Sequence, residues 1–129
     1  MPEHISSAFY GAFKQLPDYR VVWKFRQSDL SDFDVEASKH IRFGDWVPQK
    51  EILAHPKTKL FITHAGYNSL LESTAAGVPM VFTPMFIDQH ANALRAQRLG
   101  LGIQLNMKRD DFDVELVFNT VTTVLNDTR

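Results

Sequence analysis

The 129-residue chain contains no cysteine. Disulfides, thiolate nucleophiles and cysteine-ligated zinc are therefore excluded, although the compartment is not identified by that absence. It also lacks an excess of either charge: 14 lysines and arginines stand against 15 aspartates and glutamates. No strong field is available to recruit nucleic acid or an anionic membrane, so neither partner is expected, and an anionic ligand must be held by local geometry. Long apolar runs are missing too. The longest, GVPMVFTPMFI at 77–87, is too short to span a bilayer and holds two prolines. The opening MPEHISSAFYGAF has an acid and no basic segment, so it does not read as a signal peptide, and the chain as written reads as soluble.

What is present is the composition of a globular protein, 44% hydrophobic and 22% charged, at a length that suits one domain over 1–129. Ile5, Ala8, Phe9, Ala12 and Phe13 fall at helical spacing between Glu3 and Leu16, and Pro17-Asp18 closes that segment. RVVWKF (20–25) reads as a strand, the acidic stretch 27–39 as a surface loop, and HIRFGDW (40–46) as a second strand ending at Gly44. The alternation then becomes regular. A helix over 49–54 precedes a strand over 59–63, and a helix over 67–76 stops at Gly77. A strand over 79–83, a helix over 89–99, a strand over 102–106 and a closing helix over 109–125 follow, the last with Phe112, Leu116 and Val117 inward. This order predicts an α/β fold, a Rossmann-like parallel sheet with helices on both faces. Phe61, Phe82 and Phe86 are expected in its core.

Ligands of such sheets bind beyond the carboxyl ends of the strands. The unusual polar residues cluster there: Asp45 and Trp46, then His64, then Asp88 and Gln89. The junction FITHAGYNSLLES (61–73) is the densest. A helix N-terminus is a ready anion site, Gly66 allows close backbone approach, and Asn68 and Ser69 add donors in the first turn. Glu72 follows Asn68 by four residues and Ser69 by three, so all three share a face. A carboxylate beside a phosphate site is repulsive unless it accepts from neighbouring hydroxyls, as a ribose diol would supply. The junction thus suits a nucleoside diphosphate better than inorganic phosphate.

Each residue alone has a plainer explanation. Asn68 or Ser69 can cap the helix, Glu72 can be solvated, His64 can be structural, and Trp46 can be a core aromatic beside Pro48. Other ligand classes lack their patterns. Gly100-Leu-Gly102 has no third glycine and runs from helix into strand, so NAD and FAD are not expected. No P-loop or HExxH occurs, and histidines 4, 40, 55, 64 and 90 lack metal-ligand spacing, so no metal is expected. Asn126-Asp127-Thr128 is a sequon that matters only in a secretory compartment.

The stretch WVPQKEILAHPKTKLFITHAGYNSLLESTAAGVPMVFTPMFIDQHAN resembles the nucleotide-sugar signature of the UDP-glycosyltransferases, the family of animal UDP-glucuronosyltransferases and plant glucosyltransferases. WxPQ, the HxGxNS turn, the glutamate, GVP and the DQ pair stand in order, and Trp46 to Gln89 inclusive spans the 44 positions of the plant box. His-Ala-Gly-Tyr-Asn-Ser departs from the plant His-Cys-Gly-Trp-Asn-Ser, and HPKTKLFITHAG is animal-like. The resemblance implies the C-terminal, donor-binding half of a GT-B hexosyltransferase. Trp46 would stack on uracil, the Val47 backbone would read the base edge, and Gln49 would lie near the ribose. His64, Gly66, Asn68 and Ser69 would hold the diphosphate, with His64 stabilising its developing charge; Glu72 would take the ribose hydroxyls, and Asp88 and Gln89 those of the transferred sugar.

The same resemblance implies a UDP-sugar donor, UDP-glucuronate or UDP-glucose, no permanently bound cofactor, and inverting transfer to a hydroxyl of a small lipophilic acceptor. The acceptor pocket and its base would belong to an N-terminal half that this sequence does not contain. Full-length relatives are expected in the endoplasmic reticulum membrane with this domain in the lumen. In the family, a central strand precedes the first helix, so the strands over 20–25 and 59–63 are expected to flank a vacant or collapsed position. A donor module inactive alone is the leading expectation. A non-catalytic subunit needing a partner chain, or a homo-oligomer, is the alternative; the complete box speaks against a different UDP-sugar enzyme such as an epimerase.

Overall fold

In the computed structural model, which describes residues 3–24, 40–44 and 47–126, strands and helices alternate from residue 41 onward. The helices are α1 (Glu3–Lys14), α2 (Gln49–Ala54), α3 (Tyr67–Ala76), α4 (Ile87–Arg98) and α5 (Val114–Leu125). The strands are β1 (Val21–Lys24), β2 (Ile41–Gly44), β3 (Phe61–Thr63), β4 (Met80–Phe82) and β5 (Gly102–Gln104). Every described ladder is parallel, and α3 and α4 supply the crossovers that parallel pairing of β3, β4 and β5 requires. β1 pairs with β2, Val21 opposite Ile41, while β3, β4 and β5 pair in that order with Phe61 opposite Met80 and Met80 opposite Gly102. No described strand bridges the two ladders.

Alternation along β4 shows how the sheet sorts its helices. Val81 faces a cluster built from Ile5, Phe9 and Phe13 of α1 and Val117, Val121 and Val124 of α5, against which Val21 and Trp23 of β1 and Ile62 of β3 also pack. Met80 and Phe82 point the other way, into a cluster with Ala65 and with Ala93 and Ala96 of α4, joined by Phe61 and Leu70. Successive side chains on a strand take opposite faces, so helices cover both sides and all of β4 is buried. The first cluster also holds the two ladders together. Phe9 lies 5.8 Å from Phe112, and Phe13 meets Trp23 edge-on at 5.4 Å.

The helix ends follow local chemistry. Gly77, at φ 73°, closes α3 in the left-handed conformation that glycine adopts without a Cβ penalty. Helix α5 begins at Val114 rather than near 109, because the Asp113 carboxylate accepts the Leu116 N–H at 2.9 Å and so caps the helix. Residues 109–113 instead form turns that carry an exposed Arg109–Asp111 pair at 2.6 Å. Phe86 corrects an expectation: it is 66% exposed, not in the core. The Gln89 side chain accepts the N–H groups of Met85 and Phe86, at 2.9 and 3.2 Å, which starts α4 at Ile87 and turns the aromatic outward. No helix among the described residues is long and apolar enough to cross a membrane.

Candidate functional site

Strand β3 ends at Thr63 and the chain reverses into α3 through His64, Ala65 and Gly66. The left-handed residue in this turn is Ala65, at φ 74° and fully buried, while Gly66 has an ordinary φ of −64°. Left-handed geometry at a residue with a Cβ costs on the order of 1 kcal/mol and persists only where neighbours impose it. Two do so here. The Ala65 N–H reaches the Thr63 hydroxyl at 3.3 Å, and Asn92 of α4 donates to the Ala65 carbonyl at 3.1 Å.

The turn leaves the start of α3 open. No side chain among the described residues caps it, and its first backbone bond runs from the Leu70 N–H to the Gly66 carbonyl, so among the described residues the amides of Tyr67, Asn68 and Ser69 form the unpaired end. A Cβ placed on Gly66 would meet no atom of the described residues within 4 Å. His64 and Asn68 are exposed beside it, and Ser69 is half-buried. The result is a short arc of donors facing clear space at the positive end of a ten-residue helix.

Helix α2 approaches the same arc through its first residue. The Gln49 amide nitrogen donates to Ser69 Oγ at 3.2 Å and to Glu72 Oε2 at 3.0 Å, tying three of the anticipated residues into one group. Val47 lies next to it, its carbonyl accepting the Gln49 N–H at 2.9 Å. Asp88 is exposed in the first turn of α4, next to Gln89, whose amide oxygen is committed to the backbone of 85 and 86 and whose amide nitrogen meets no acceptor among the described residues. Asp45 and Trp46 lie outside the described residues. Among those described, no cluster of histidine and carboxylate residues could hold a metal ion.

The geometry thus joins Gln49, Ser69 and Glu72 directly, places His64, Gly66 and Asn68 at the same junction, and links that junction to α4. The link is Asn92, which sequence reasoning passed over. A signal existed, since Asn92 follows Gln89 by three residues and Asp88 by four, on one helical face. Ser73 was also passed over; it is fully buried and donates to the Val78 carbonyl at 2.9 Å, fastening the end of α3 to the start of β4.

Solved structures with this fold are glycosyltransferases of the GT-B type. A UDP-glucose:anthocyanidin 3-O-glucosyltransferase in complex with UDP superposes with a TM-score of 0.83 at 28% identity, over 98% of this chain and 29% of that one. Os79 from O. sativa, in complex with UDP and deoxynivalenol-3-glucoside, does so with a TM-score of 0.82 at 25% identity, over 96% of this chain and 30% of that one. In sequence, a UDP-glucuronosyltransferase of Pleuronectes platessa is 41% identical over 107 residues, 83% of this chain and 22% of its own length. UDP-glucuronosyltransferase 3A1 of Bos taurus is 38% identical over 98 residues, 76% of this chain and 18% of its own. The chain therefore spans about a fifth of the length of these relatives. All of residues 1–129 match the family described as "UDP-glucoronosyl and UDP-glucosyl transferase", and the chain belongs to that family, the UDP-glycosyltransferases.

Proposed function

We propose that this chain binds a UDP-sugar and forms the donor half of an enzyme that transfers a glucuronosyl or glucosyl group to a hydroxyl of a small lipophilic acceptor. The observation that carries the reading is the open amino end of α3, with clear space over Gly66, set against the bonded trio Gln49, Ser69 and Glu72. The diphosphate is assigned to the free amides of α3 with His64, Asn68 and Ser69. Glu72 takes ribose hydroxyls, the Val47 backbone and Trp46 take uracil, and Asp88 with the Gln89 amide nitrogen takes hydroxyls of the sugar.

The chemistry follows from charge. Cleaving the bond between the anomeric carbon and UDP builds negative charge on the diphosphate, and donors already fixed around it lower that barrier without reorganising. Holding uracil and ribose at a set distance from those donors keeps the anomeric carbon in one position, a proximity effect. Activation of the acceptor hydroxyl is assigned to polypeptide outside this chain, so the isolated chain binds donor but does not transfer it. The relatives' remaining length is consistent with that division. In the full enzyme this domain is assigned to the lumenal side of an endoplasmic reticulum membrane.

Saturation-transfer NMR on the chain with UDP tests the reading. Saturation of uracil and ribose protons, displaced by UDP-glucose or UDP-glucuronate and not by ADP, is the expected outcome. A folded chain that transfers no saturation to UDP, or that binds ADP equally, would overturn it.

A further inference from the structure

A trans peptide holds its carbonyl and its N–H in one plane, pointing opposite ways, so whatever fixes one fixes the other. The peptide between Ala65 and Gly66 has its carbonyl fixed, because Asn92 of α4 donates to it at 3.1 Å. Only the nitrogen end of the Asn92 amide can face that oxygen, since a carbonyl accepts. The Gly66 N–H, on the other edge of the plane, is thereby turned away from Asn92, and it meets no acceptor among the described residues. Gly66 is the N-cap residue of α3. An N-cap N–H lies over the first helical turn, close enough for the side chain three residues on to take it in a capping box. That side chain is Ser69, and no such bond forms; its Oγ accepts from Gln49 instead, at 3.2 Å. The peptide plane also has a reason to rotate if released, since Ala65 at φ 74° is left-handed against its own preference.

We propose that Asn92 is a positioning residue: by pinning the Ala65 carbonyl it aims the Gly66 N–H at the diphosphate, as a fixed donor beside the amides of Tyr67, Asn68 and Ser69. The inference rests on the donor-site reading above. It goes further in making the direction of a diphosphate donor depend on α4, the helix that also presents Asp88 and Gln89. A donor held in place before charge develops costs nothing to reorganise, whereas one on a freely rotating peptide must first be ordered. Asn92 touches neither phosphate nor sugar in this account; it acts through one peptide plane.

Titrating the chain with UDP and with uridine, which lacks the diphosphate, separates aim from strain when the wild type is compared with Asn92→Leu and with Asn92→Leu combined with Ala65→Gly. Asn92→Leu, without a donor, should weaken UDP by about tenfold, the worth of one hydrogen bond to a charged group, and leave uridine unchanged. Glycine adopts a positive φ without penalty, so the double variant should recover melting temperature and still bind UDP weakly. It also carries the test if Asn92→Leu alone does not fold. Amide proton shifts give an independent readout: UDP should move the Gly66 signal downfield in the wild type and not in the double variant. If the double variant regains UDP affinity along with stability, Asn92 serves only to hold a strained turn and the proposal fails. Equal weakening of UDP and uridine, or a wild-type Gly66 signal that stays still while those of Tyr67, Asn68 and Ser69 move, would overturn it as well. A folded wild type that binds neither ligand refutes instead the donor-site reading beneath it.

Discussion

A Cβ on Gly66 would project into space that no atom of the described residues occupies, and the backbone there, at φ −64°, is open to any L-residue. Gly66→Ala should therefore shift the melting temperature by no more than about 2 °C while lowering UDP affinity about tenfold, since the added methyl stands where the diphosphate must approach. Thermal melts beside a UDP titration check both halves. Ala65 presents the opposite case. It is fully buried, left-handed at φ 74°, and bonded through both its amide and its carbonyl. A β-branched residue there combines overpacking with a conformation it strongly disfavours, so Ala65→Val should cost about 2–4 kcal/mol in urea unfolding. The sequence made Gly66 visible because glycine marks turns, yet the left-handed position falls one residue earlier. Of the two groups that hold it, the Thr63 hydroxyl is local but Asn92 is 27 positions away, and no local pattern announces a clamp at that separation.

At the scale of elements, β5 approaches β4 so closely that a Cβ on Gly102 would lie 2.1 Å from the Met80 carbonyl oxygen. Backbone, not a flexible side chain, is the obstacle, so Gly102→Ala should destabilise the fold by about 3 kcal/mol or more, read from denaturant midpoints at constant m-value. The connector before α5 is expected to be far more tolerant. Asp111 is held below the usual carboxylate range by its hydrogen bond to Arg109, whose own pKa is raised. A depressed carboxylate contributes stability above its unfolded pKa and loses it as pH falls through the folded value. Both groups are fully exposed, so solvent and salt screen the pair, and Asp111→Asn should leave the melting temperature unchanged at physiological ionic strength. The order and type of these elements were legible from hydrophobic period and from Gly77 as a helix stop. Their ends were less so: Asp113 and Gln89 redefine the starts of α5 and α4 through side-chain bonds to backbone, and Phe86 is exposed for the same reason.

For the molecule as a whole, the parallel α/β arrangement was readable because each strand and helix carries the period of its own environment, down to the unbroken apolar run of a strand buried on both faces. The packing of the two described ladders, β1–β2 and β3–β4–β5, against one hydrophobic cluster is a tertiary matter that composition does not announce. The candidate site was legible as a set of residue types at one junction, whereas its internal wiring, with Gln49 bridging Ser69 and Glu72, depends on how α2 meets α3 in space. The most direct test of the account is a calorimetric titration of the chain with UDP, run in parallel on Gly66→Ala and Glu72→Ala. Saturable binding at one site in the wild type, weakened about tenfold or more in both folded variants, is the predicted result. A folded wild-type chain that releases or takes up no heat with UDP at any temperature tested, or variants that bind as the wild type does, would contradict it.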